Sequence, residues 1–75
     1  MQIKVITKGT ATCNLTVQPT TLILEVKQQI QTALQIPVFL QTIVYQGNIC
    51  DDTKTVQQCG IPEGATVVCM TPLAN

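Results

Sequence analysis

The hydrophobic residues of this chain follow a period of two up to Val17, switch to a helical period between Ile23 and Leu34, and return to strand-like runs afterwards. One helical stretch between strand-like runs in so short a chain restricts the fold to strands with a single helix packed on them. In residues 1–7, Ile3 and Val5 share one face while Lys4 and Ile6 take the other, as a half-buried strand requires. Lys8-Gly9-Thr10 breaks the pattern as a turn. Residues 12–17 then resume it, with Cys13, Leu15 and Val17 inward and Thr12, Asn14 and Thr16 outward, so the two segments read as a β-hairpin ended by Pro19. Ile23, Val26, Ile30 and Leu34 recur at helical spacing, with Glu25, Lys27, Gln28 and Gln31 on the polar side. Thr20 and Thr21 are the candidate N-caps, and Ile36-Pro37 stops the helix because the residue before proline avoids the α region. Residues 41–45 read as a third strand, Gln46-Gly47 as a turn, and residues 48–50 as a short fourth strand. Residues 51–60 are polar and irregular apart from Val56 and Cys59. Pro62-Glu63-Gly64 then turns the chain into a last strand over residues 66–71, with Val67 and Cys69 on one face and Val68 and Met70 on the other. This order predicts an α+β domain with one α-helix packed across a mixed sheet.

Seventy-five residues support one core, because a chain of this size buries only about 60% of its unfolded surface. A single domain over residues 1–75 is expected. Hydrophobic residues make up 45% of it and charged residues 11%, so some apolar side chains must face solvent and become candidates for contact surfaces. The net charge is zero, there is no arginine, and Lys4, Lys8, Lys27 and Lys54 are dispersed. Neither nucleic acid nor a membrane surface is expected as a partner. Apolar runs such as Leu22-Ile23-Leu24 are too short to span a bilayer, and Met1 opens directly into a strand pattern without a leader. The expected location is the cytoplasm, with the nucleus as an alternative.

The cysteines, Cys13, Cys50, Cys59 and Cys69, form no C-x-x-C pair, and Cys13 and Cys69 fall in phase with core positions. Reduced thiols are expected, with a Cys50–Cys59 disulfide as the main alternative and a zinc site disfavoured by the spacing. No metal or cofactor is expected. Catalysis also lacks support: there is no histidine, no nucleophile beside a base, and Glu25, Asp51, Asp52 and Glu63 are dispersed or sit in turns. Asp51 and Asp52 suit hydrogen bonding within their loop, and Cys59 is the one cysteine in a loop where reactivity is conceivable.

The opening Met1-Gln2-Ile3, Val5 and Thr7, then Thr12, Leu15, Val17, Pro19, Val26-Lys27, Ile30-Gln31, Ile36-Pro37, Gln41, Gly47, Asp52, Thr55, Ile61 and Thr66, carry a specific resemblance. At these offsets, with no gap from Met1 to Leu73, the chain resembles the ubiquitin family. The resemblance implies the β-grasp fold, and it implies function only where the family's functional positions match. The family's conjugated members end in a flexible diglycine, where this chain has Pro72-Leu73-Ala74-Asn75; Pro72 and the side chains that follow obstruct threading into an activating site. Of the lysines on which ubiquitin chains are built, Lys27 alone is retained. The others are Ile6, Ala11, Gln29, Ala33, Asn48 and Glu63. Lys27 is expected to pair with an acid such as Asp52 and to fix the helix to the loop.

The family's apolar receptor-binding patch is implied at Val44, Val68 and Met70, with Ile6 nearby. Lys8 stands at the position of a patch leucine, Val68 at that of a histidine, and Thr42 and Pro72 at those of flanking arginines, so charge-assisted contacts made by those arginines are lost. The final third, from Tyr45-Gln46-Gly47 through Thr55-Val56-Gln57-Gln58-Cys59 to Glu63-Gly64, resembles non-conjugated domains such as those of ubiquilin-like shuttle factors and parkin. Leu22, Leu24, Leu34, Val38, Phe39, Leu40 and Ile49 depart from the family by being apolar. A second patch formed by Ile36, Phe39 and Leu73 with the helix end is one reading of these. Local repacking is the other, with Leu34 extending the helix because Gln35 replaces a glycine cap. The expected function is a non-conjugated interaction domain that links a parent protein to ubiquitin-receptor or proteasome-type domains. A modifier whose diglycine lies beyond or was removed from this chain, and a structural domain that self-associates through the Phe39 region, are the alternatives.

Overall fold

The computed structural model describes residues 1–72, in which strands β1 (Gln2–Ile6), β2 (Thr12–Thr16), β3 (Thr42–Tyr45), β4 (Asn48–Cys50) and β5 (Thr66–Met70) make one sheet. Its order is β2-β1-β5-β3-β4. β1 runs antiparallel to β2 and parallel to β5, while β3 runs antiparallel to both β5 and β4, so the sheet is mixed. Helix α1 (Ile23–Leu34) packs on one face, giving the α+β, ubiquitin-like β-grasp arrangement. Among the described residues, no helix is long and apolar enough to cross a membrane.

The alternation in each strand sends Ile3, Val5, Leu15, Ile43, Val67 and Cys69 to the covered face, where Ile23, Val26 and Ile30 of α1 meet them. Val17, Cys50, Val56 and Ile61 close the ends of this core. Each full burial of a Val or Ile side chain contributes about 1.5–3 kcal/mol, which is why the 23-26-30 spacing of α1 is matched by the period-two positions beneath it. Cys13 is only half-buried, because β2 is an edge strand that the helix covers incompletely.

The start of α1 is held differently from the sequence expectation. Neither Thr20 nor Thr21 caps it; Leu22 is the N-cap residue, and the Thr21 hydroxyl accepts a bond from the Gln18 N–H instead. Helices leave their first N–H groups without intrahelical partners, and here backbone from the 51–60 loop supplies them. The Ile23 N–H donates to the Lys54 carbonyl at 2.9 Å and the Leu24 N–H to the Asp52 carbonyl at 3.4 Å, while the Glu25 carboxylate accepts the Leu22 N–H at 2.9 Å. Lys27, buried on α1, forms an ion pair with Asp52 across the same junction. A polar segment with little hydrophobic signal is thereby tied to the helix as expected for that pair.

At its other end α1 stops at Leu34 rather than gaining a turn. Gln35 takes the left-handed conformation (φ 63, ψ 31) and donates its N–H to the Gln31 carbonyl, so a non-glycine residue performs the usual glycine capping role. Val38–Leu40 form a 3₁₀ turn, fastened by the Gln31 amide oxygen accepting the Val38 N–H at 2.9 Å. Gln41, 4% exposed, directs its amide into the junction, donating to the Lys27 and Ile36 carbonyls at 2.9 Å each. Between β3 and β4 the turn has only two residues, with positive φ at Gln46 and at Gly47, as a tight hairpin requires.

Candidate interaction face

The face of the sheet opposite α1 carries the residues that alternate with the core. Ile6 follows Val5 on β1, Val68 lies between Val67 and Cys69 on β5, Val44 follows Ile43 on β3, and Ile49 precedes Cys50 on β4. Strand register aligns them. Ile6 is opposite Val68, Val68 is opposite Val44, and Val44 is opposite Ile49, so one apolar row crosses four adjacent strands, a span of about 15 Å at the usual strand spacing. Met70 lies on the same face two residues beyond Val68 and opposite Thr42.

Exposure rises along the row. Ile6, Val68 and Val44 are half-buried by their cross-strand neighbours, whereas Ile49 on the edge strand is 73% exposed and Met70 39%. Thr42, Val44, Gly47, Ile49, Met70 and Pro72 border a shallow, mostly apolar depression at this end. Gly47 leaves it open, since no side chain rises from the hairpin turn. The row itself contains no ionisable group. Its polar margins are Thr12, opposite Ile6 on β2, and Lys4 and Thr66, which face each other across β1 and β5. Cross-strand β-branched pairs of this kind also stabilise the sheet, by roughly 0.2–1 kcal/mol each, so the row both holds the strands in register and offers a surface.

Compared with protein families, residues 1–73 match the ubiquitin family. The chain belongs to the ubiquitin family. No curated protein matches it. Within this ubiquitin-family domain the structure brings together four of the eight residues singled out from the sequence: Ile6, Val44, Val68 and Met70. Lys8 lies in the exposed β1–β2 turn, beyond Ile6 at the margin of the row.

Ile36 and Phe39 do not join them. Ile36 and Leu34 are half-buried and pack against the edge of the core. Phe39 is 84% exposed in the 3₁₀ turn, next to the exposed Leu40, and lines a depression with Gln31, Thr32, Gln35 and Pro37. Leu73 lies outside the described residues.

Ile49 is the member of the row that sequence reasoning left unexplained. A signal was available: a two-residue turn at Gln46-Gly47 sets Tyr45 opposite Asn48, and therefore Val44 opposite Ile49. The family's lysine chemistry is reduced to Lys27, which is 9% exposed and engaged with Asp52.

Proposed function

We propose that this ubiquitin-family domain is a non-conjugated interaction module that docks ubiquitin-receptor or proteasome-type domains and so links its parent protein to that system. The observation that carries the reading is the uninterrupted Ile6, Val68, Val44 and Ile49 row, with Met70 beside it, fixed by the register of four strands. A partner suited to it presents an apolar helix or strand without acidic residues at the Met70 end, because Thr42 and Pro72 carry no charge for a carboxylate to pair with. Lys27, already ion-paired within the fold, is a poor site for chain extension, which favours a module over a link in a polymer.

Titration of the labelled domain with ubiquitin-receptor domains, followed by amide chemical shifts, tests this. Shifts centred on Val44, Ile49, Val68 and Met70 are expected, and their absence at saturating receptor would sink the reading. A glycine pair encoded shortly after Asn75 would make the domain a modifier instead of a module.

One observation favours a second reading. Phe39 at 84% exposure is an aromatic anchor with polar surroundings, as at a self-association contact. Analytical ultracentrifugation of the native protein and Phe39→Ser separates the two: a dimer lost in the variant supports self-association, and a monomer at all concentrations removes it.

A further inference from the structure

Cys50 and Cys59 bring two thiols together at the outer end of β4. Cys50 closes that strand opposite Ile43 with its side chain 4% exposed, and Cys59, at the end of the 51–60 loop, is half-buried. Both line one surface depression together with Asp51, Lys54 and Gln58, and the Cys50 thiol points to the Asn48 carbonyl at 4.0 Å. The Cys59 backbone is itself held, its N–H donating to the Thr55 carbonyl at 3.0 Å. Both sulfurs are free.

The sheet order keeps Cys69 apart from both Cys13 and Cys50. β1 stands between β2 and β5, which separates Cys13 from Cys69, and β3 stands between β4 and β5, which separates Cys50 from Cys69. Two strand spacings are about 10 Å, beyond the Cα separation that a disulfide tolerates.

We propose that Cys50 and Cys59 form a reversible dithiol site, which a small disulfide such as oxidised glutathione converts to an intramolecular Cys50–Cys59 bond. The more accessible Cys59 reacts first. Its thiolate attacks one sulfur of oxidised glutathione, that S–S bond breaks, and one glutathione leaves as the thiolate. The Cys50 sulfur, after losing its proton to solvent, then attacks the Cys59 sulfur of the mixed disulfide and expels the second glutathione. The protein gives up two hydrogens and the glutathione pair takes them up. Burial foremost, and then the neighbouring Cys59, push the Cys50 thiol up to about 12, and capture of Cys59 in the mixed disulfide removes the second of these causes before Cys50 must react.

The bond closes a loop of eight intervening residues, 51–58. That loop supplies the Asp52 and Lys54 carbonyls to the start of α1, and the bond ties it to the residue next to Ile49. The thiol state thus reaches both the helix start and the exposed end of the apolar row.

Equilibration of the folded protein in glutathione redox buffers, followed by acid quenching, alkylation and peptide mass mapping, tests the proposal. A single Cys50–Cys59 link is expected, with Cys13 and Cys69 alkylated, reversal by dithiothreitol, and a Tm higher by about 5 °C or more in the oxidised form. Cys50→Ser is expected to accumulate one glutathione on Cys59, and Cys59→Ser to form no link. A stable glutathione adduct on Cys59 of the native protein, a link through Cys13 or Cys69, a link formed only in urea, or thiols unchanged in excess oxidised glutathione would each overturn it.

Discussion

Gln41 shows how much one polar side chain can settle. Its amide joins three parts of the fold, with the Nε2 group donating to the Lys27 and Ile36 carbonyls and the Oε1 atom accepting weakly from the Cys69 thiol at 3.8 Å. At 4% exposure it has no water to replace those partners. Gln41→Ala both opens a cavity and leaves the Ile36 carbonyl short of a donor, so a loss of about 2–3 kcal/mol in urea unfolding is expected. The buried thiols act on stability through pH. Burial raises Cys13, Cys50 and Cys69 above the ordinary thiol value, Cys50 to about 12. A group that holds its proton more tightly when folded contributes its full stability below the unfolded value and loses it as pH rises through the folded one. The urea midpoint is therefore expected to fall between about pH 9 and pH 12, with a shallower slope in Cys50→Ala than in the native protein. An equal slope in the two would show that Cys50 does not contribute.

At the scale of elements, the span of the helix was legible in the sequence and the groups that cap its two ends were not. Four apolar residues at helical spacing mark 23–34 without ambiguity, because a helix on a sheet must bury one stripe. The start depends on partners supplied by a distant loop. Thr20 and Thr21 have the right chemistry for caps, but carbonyls of Asp52 and Lys54 reach the first-turn N–H groups, and no local pattern encodes that meeting. At the end, Gln35 is a helix-compatible residue forced into the left-handed region by the turn toward Pro37. Gln35→Gly is expected to stabilise the domain by about 0.5–1 kcal/mol, measured by thermal unfolding, since relief of the left-handed strain exceeds the added unfolded-state entropy. A loss of stability in that variant would mean that the Gln35 side chain contributes more than its backbone costs. The 3₁₀ turn at Val38–Leu40 has no local signature for a related reason: three apolar residues in a row resemble a strand, yet i to i+3 bonds at Leu40 and Gln41 curl them and turn Phe39 outward.

Across the whole molecule the consequence lies in the row on the open face of the sheet. Ile49→Glu places a charge at its most exposed member, where the native side chain makes no core contact. Under the docking proposed above, a tenfold or greater loss of affinity for a ubiquitin-receptor domain is expected from calorimetric titration, with the unfolding midpoint nearly unchanged. The sequence alone determined the fold class, the span of the helix and the alternating core, since the periods of two and 3.6 dictate which side chains are buried wherever the chain runs. It also marked Val44, Val68, Met70 and Ile6 through their resemblance to a family pattern. Tertiary structure alone decided that Ile6, Val68, Val44 and Ile49 form one row, that Ile36 packs half-buried against the core while Phe39 faces solvent, and that Cys50 and Cys59 line one depression. Periodicity is a local property that each segment reveals by itself. Register between strands, and the meeting of a loop with a strand end, arise from contacts between residues far apart in the chain, and they exist only once the sheet has closed around its core.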